Sequence, residues 1–166
     1  MRTSIIISLS VFLLTCCGCG PKVPDDLRNL MPVTVTVTDS GQPMSGIQVM
    51  LGSKSGLSLF ACNGTTDSSG IAVIQSSRGT FTGKGAPAGT YAVALLEHFE
   101  LPPDLEPQEG DSSAVQSAKE RKREEFYRQN RTIPIPLTSS ATSPIELTVE
   151  KNRAAIEIDV SMHRSP

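Results

Sequence analysis

The sequence predicts an all-β chain: one antiparallel β-sandwich of about seven strands, with a single helical insertion near residues 112–129. Three observations predict it. Short runs alternate apolar and polar residues with the period of a half-buried strand, as in VTVTVT at 33–38 and IELTVE at 145–150. Turn-forming residues separate the runs, with 13 Gly and 12 Pro in 166 residues, while aromatic content is 4% and Trp is absent, a composition suited to short strands. One stretch breaks the pattern. EGDSSAVQSAKERKREEFYRQN carries charges of both signs, has no Gly or Pro after Gly110, and sets Arg121 four residues before Glu125, which predicts a solvated helix.

The elements follow in chain order. Arg2 precedes an apolar run over residues 5–14 that only Ser8 and Ser10 interrupt, and small residues come next. This is the anatomy of an export signal, because a spanning helix needs about 20 apolar residues and the run is far shorter. The LTCC that ends it, residues 14–17, resembles the lipobox of bacterial lipoproteins, with Thr15 and Cys16 in the small positions. The resemblance implies cleavage before Cys17, a diacylglycerol thioether on its sulfur and acylation of the new amino group. Several chains on one residue anchor stably where one is marginal, each buried methylene contributing about 0.8 kcal/mol. Cys19, with Gly18 before it but no Leu three places upstream, is the runner-up. Residues 1–16 thus read as a lipoprotein signal peptide, and the Pro-punctuated residues 17–32 as lipidated anchor and tether.

The sandwich domain spans residues 33–160 and leaves 161–166 as a tail. Val33, Val35 and Val37 alternate with Thr34, Thr36 and Thr38; Asp39, Ser40 and Gly41 then turn the chain toward a second strand at Ile47, Val49 and Leu51. Residues 57–62 and 71–75 read as the next two strands, separated by NGTTDSSG, whose Asn, Asp and Gly suit turns. Residues 90–96 make a fifth strand. Residues 145–150 and 155–160 close the chain as a hairpin over KNRA.

Taken in order, VTVTVTDSGQPMSGIQVML, TTDSSGIAVI, GAPAGTYAVAL and IPLTSSATSPIELTVEKNRAAIEIDV resemble small bacterial lipoproteins bearing a carboxypeptidase regulatory-like, or transthyretin-like, domain. The Gly-x-Pro turn of that family falls at residues 41–43, its Thr-Asp-x-x-Gly turn at 66–70 and its Pro-x-Gly-x-Tyr segment at 87–91. Its Tyr after Ile-Pro is absent, since Pro134 is followed by Ile135 and Pro136. The resemblance implies an immunoglobulin-like (prealbumin-like) sandwich exported to the cell envelope, and no reaction. The residues themselves supply architectural reasons for two of these marks: Gly70 can take a positive φ at a corner, and Tyr91 can bury its ring while its hydroxyl stays bonded.

No reaction is legible in the residues. His98 lies in an acidic loop beside Glu97 and Glu100, and His163 sits in the tail, so neither is positioned for a triad. RGTFTGKG has its first Gly one residue too close to its GK for a phosphate loop, with no Ser or Thr after Lys84, and GKGAPA leads into a strand, unlike a dinucleotide turn. Asp39 and Asp67 read as turn caps, because no second acidic ligand stands at calcium-loop spacing. Cys16, Cys17 and Cys19 are crowded and have no histidine at zinc-like spacing. Cys62 reads as a small core residue, with a Cys19 to Cys62 disulfide as the alternative in an oxidising envelope.

A net charge of -2, and the interleaving of Glu120, Glu124 and Glu125 with the basic residues of the helix, leave no footprint for nucleic acid. Val115, Ala118, Phe126 and Tyr127 of that helix either meet a partner or pack onto the sheet. The expectation is therefore a non-catalytic, lipid-anchored envelope protein, on the periplasmic or outer-membrane face, with no cofactor or metal. It meets the membrane through its N-terminal lipid and acts as a binding or structural module toward another envelope protein or a polysaccharide. The alternative is a carbohydrate-binding module, for which Tyr91 and Tyr127, without Trp, provide few stacking platforms.

Overall fold

The computed structural model describes residues 28–55, 60–151 and 154–164; the stretch read as a signal peptide, Cys17, Cys19 and most of the stretch read as a tether lie outside the described residues. Strand β1 (Val33–Asp39) turns Val33, Val35 and Val37 inward, each fully buried, and its threonines outward. Both its edges are paired. β10 (Ala154–Asp159) runs along one, while β2 (Gln42–Pro43) and β5 (Ile71–Val73) share the other. A six-stranded sheet faces this one in the order β7 (Phe81–Lys84), β6 (Gln75–Arg78), β4 (Ala61–Thr65), β3 (Gln48–Ser53), β8 (Gly89–Leu96) and β9 (Glu146–Val149). Val49, Leu51, Val93, Leu95, Leu147 and Val149 meet the three valines in one core, each burial contributing about 1.5–3 kcal/mol.

Turn chemistry directs the chain between the sheets. Ser40 and Gly41, with φ of 51° and 77°, form the two-residue hairpin from β1 to β2, in which both central residues take positive φ to match strand twist. After β4 the chain turns through residues 66–70 and enters the opposite sheet as β5. Asp67 caps that turn, its Oδ1 accepting from the Ser69 and Ile71 amides at 2.8 and 3.1 Å. Gly70 sits there at a φ of 74°, and a Cβ would meet the Val37 carbonyl oxygen at 2.6 Å, so the corner requires glycine. The fully buried Ile74 then carries the chain back from β5 to β6, splitting the strand expected over 71–75.

Two expectations are corrected. The closing hairpin over KNRA does not form, because β9 pairs with β8 while β10 pairs with β1 in the other sheet. There Ala154, Ile156 and Ile158 come opposite Val33, Val35 and Val37, so crossing over completes the valine face. This pairing is parallel, whereas every other strand pairing among the described residues is antiparallel. The strand count among the described residues also rises to ten, in part because RGTFTGKG folds as the β6–β7 hairpin.

The insertion between neighbouring strands β8 and β9, residues 97–145, contains the expected helix, α1 (Ser113–Asn130), capped by the Ser112 hydroxyl at the Val115 amide. None of its residues is buried. Val115 and Ala118 face solvent, and Phe126 and Tyr127 pack on Phe99 of the preceding loop, at ring-centroid distances of 6.2 and 5.5 Å. What docks the insertion is the stretch after the helix: Ile133 and Leu137 are fully buried, and a 3-10 turn (Ile135–Thr138) lies against β8. Residues 91–95 of β8 are consequently buried without alternation.

Tyr91 closes the core beside Cys62. Its ring is buried and its hydroxyl donates to the Pro87 carbonyl at 2.8 Å. Burial, and then the neighbouring Cys62, push its pKa up to about 12, so it remains a donor throughout the physiological range. Tyr91→Phe keeps the ring and removes the donor. The expected result in urea unfolding is a loss of about 1 kcal/mol with the strand content unchanged; an unshifted midpoint would remove this bond from the account of stability.

Candidate functional site

The two ends of the sandwich are built differently. At one, residues 28–32 lead in: Met31 and Ala86 exchange backbone hydrogen bonds of 2.9 and 3.0 Å, and β1 begins at Val33. Gly85 presses so close there that a Cβ would lie 2.1 Å from the Met31 carbonyl oxygen. The other end lies about 20 Å away, the length of seven extended residues of β1. There β1 and β10 finish and the insertion returns to the sandwich.

Three acidic side chains organise that far end. The Asp159 carboxylate accepts from the Ser40 amide at 3.0 Å, the Gly41 amide at 3.2 Å, and the Ser161 amide and hydroxyl at 3.0 and 2.6 Å. It therefore holds the β1–β2 hairpin turn, the role expected of Asp39. Asp39 instead receives Arg164 Nη2 at 2.7 Å, and the same nitrogen donates to the Thr132 carbonyl at 3.4 Å. Glu97, just past β8, accepts from the Thr132 amide at 3.0 Å, the Ile133 amide at 3.2 Å and the Thr132 hydroxyl. The chain leaving α1 is thus held at two successive amides.

Arg131 stands immediately before this clamp. Its amide donates to the Tyr127 carbonyl at 3.0 Å, ending the helix, while its exposed side chain has no ion pair or hydrogen bond among the described residues. Two clefts meet at it. The first, about 440 Å³, has Ile133, Pro134, Ile135 and Pro136 along its length and Arg128, Arg131, His163 and Arg164 around them. The second, about 510 Å³, is lined by Leu96, Glu97, His98, Phe99, Leu101, Tyr127, Arg131 and Thr138.

The residues singled out by sequence are dispersed. Cys17 and Cys19, the lipidation candidates, lie outside the described residues. Cys62 is a buried free thiol, its sulfur 3.1 Å from Ser76 Oγ, which donates to the Gly85 carbonyl at 2.7 Å. Burial pushes its pKa up, against the opposing Ser76 hydrogen bond. His98 and His163 border different clefts, and among the described residues no three His, Cys, Asp or Glu side chains converge as a metal site would require. The arginines were missed because Arg128 and Arg131 read as a helix end and Arg164 as tail. The parallel β1–β10 pairing is what brings residue 164 back to residue 132.

No protein-family model matches the chain, and no curated protein matches it. Among solved structures, a variant of BcpA, the major pilin subunit of Bacillus cereus, is similar at 13% identity and a TM-score of 0.40, over 79% of this chain. The match spans 30% of the pilin's length. A likeness this distant says nothing about activity or partners.

The hydrogen bond from the Ser161 hydroxyl, followed by the backbone amides of Ser161, Ser40 and Gly41, holds the Asp159 carboxyl below the usual carboxylate range despite some desolvation. A lowered folded-state pKa means that the stabilisation is present above the unfolded value, about 3.9, and is lost as pH falls through the folded value. Asp159→Asn is expected to lower Tm at neutral pH and to flatten its decline as pH falls below the unfolded-state value of about 3.9. Thermal unfolding followed by circular dichroism checks this, and a decline parallel to the unmodified protein's would assign the acid sensitivity elsewhere.

Proposed function

We propose that the protein is a non-catalytic, lipid-anchored binding module of the cell envelope, tethered through Cys17 and meeting its partner at the far end of the sandwich. One observation carries the reading: residues 28–32 lead into β1 at its start, and the clefts at Arg131 lie where β1 ends, about 20 Å from that entry. An anchor at one pole leaves the other pole facing away from the bilayer. The signal-like residues 1–16 and the LTCC before the tether support the anchor itself. Among the described residues no helix is long and apolar enough to cross a membrane.

The resemblance of residues 33–160 to carboxypeptidase regulatory-like lipoproteins supports an accessory role on the periplasmic or outer-membrane face. Its partner is then another envelope protein, with no nucleic acid involved. A second reading, carbohydrate binding, draws on Phe99 and Tyr127 in the second cleft. Their mutual packing at 5.5 Å leaves less ring face for a sugar, which is why the protein-binding reading ranks first. A glycan array separates the two, since specific sugar binding lost in Tyr127→Ala would establish the second.

The anchor is tested by the intact mass of the mature protein extracted from membranes, beside Cys17→Ala and Cys19→Ala. The expected outcome is an acylated N-terminal Cys17, with processing blocked in Cys17→Ala alone. Blocked processing in Cys19→Ala alone would move the anchor to Cys19, and an unlipidated chain cut elsewhere would overturn the lipoprotein reading.

A further inference from the structure

We infer that the first cleft receives an acidic peptide segment of a partner protein, with Arg131 as the residue that takes its carboxylate. The inference rests on the reading of this pole as the partner-facing surface and adds the partner's chemistry.

The lining is cationic in a chain whose net charge is -2: Arg128, Arg131, His163 and Arg164 border the cleft and no acidic residue does. The three guanidinium groups differ in what already occupies them. Arg164 is taken by Asp39 at 2.7 Å and forms a fixed wall. Arg128 is 3.5 Å from Glu125, with both side chains largely exposed, an arrangement weak enough to exchange for a ligand. Arg131 has no partner among the described residues, and a guanidinium can hold a carboxylate through two parallel hydrogen bonds. Its backbone is fixed from behind, because Glu97 grips the next two backbone amides, so the ordering on binding is confined to the Arg131 side chain.

The apolar part of the lining narrows the ligand class. Ile135 is 68% exposed, an unusual placement for isoleucine, and it stands between Pro134 and Pro136, which have no amide hydrogens to offer. The carbonyls of Pro134, Ile135 and Pro136 already accept from the Leu137 amide and the Thr138 and Thr142 hydroxyls. Such a surface has few free polar groups for the hydroxyls of a sugar, and no Phe, Tyr or Trp ring lines this cleft. It suits aliphatic side chains beside a carboxylate, the composition of an acidic and apolar peptide.

The test applies the full-length protein, purified from membranes in detergent, to an array of random-sequence octapeptides, with oligogalacturonate as an acidic sugar for comparison. Bound peptides are expected to be enriched in Asp and Glu beside Leu, Ile or Val, and their binding to weaken about tenfold or more in Arg131→Ala. Arg131→Lys, which keeps the charge but loses the planar fork, should recover part of the loss. Lys84→Ala, on edge strand β7, should change nothing. Peptides bound without acidic bias and lost in Ile135→Asp would overturn the acidic ligand while leaving the cleft as the binding surface. Binding of oligogalacturonate in place of peptides would overturn the peptide class, and binding of neither would overturn this inference together with the reading of the pole.

Discussion

Val33, Val35 and Val37 impose the constraint on which the rest of the molecule depends. All three are fully buried while Thr34, Thr36 and Thr38 are only partly covered, so a slip of one residue would exchange three methyl-bearing faces for three hydroxyl-bearing ones across the core. That penalty locks the register of β1. The partners are then set in turn, with β5 bringing Ala72 opposite Val35 and β10 bringing Ile156 opposite the same residue from the other side. The central strand of the smaller sheet thus determines where residues 39, 159 and 164 stand, and these are the residues that build one end of the sandwich.

The other contribution to that end comes from the larger sheet. β8 ends at Leu96, and Glu97 is the first residue beyond it, so the carboxylate that holds residues 132 and 133 is positioned by a strand whose residues 91–95 are all buried. The Asp111–Lys119 pair, 2.8 Å apart, ties the residue before the helix cap to the second turn of the helix, and Lys119 also donates to the Glu106 carbonyl at 2.9 Å. A helix with no buried residue is therefore held by its two ends. This suits a long surface helix of mixed charge, whose own face contributes little burial.

Much of this was legible in the sequence, for physical reasons that differ by element. The alternation in VTVTVT and IELTVE, the Ser-Ala start of α1 and the positive φ at Gly70 are local, so local patterns declared them. The pairing partner of β10 was not, because nothing within residues 145–160 states whether two adjacent strands turn back on each other or cross to opposite sheets. The β7 strand was hidden by its composition, FTGK, which has one apolar residue in four. The convergence of Arg131 with Arg164 depends wholly on that undeclared parallel pairing. Asp159 takes the capping role expected of Asp39 for the same reason: the hairpin turn takes its cap from across the ladder, 118 residues beyond Gly41.

The parallel ladder of β1 and β10 also has a mechanical meaning. A pull between Val33 and Arg164 enters at the start of β1 and leaves past the end of β10, along the strand axes. From Val33 opposite Ala154 to Thr38 opposite Asp159, the evenly spaced bonds of that ladder are then loaded together in shear. A hairpin between β9 and β10 would have been loaded from one end and opened bond by bond, like a zip. The topology that brings Arg164 to the cleft is thus also the one that lets the domain resist being pulled apart along its length.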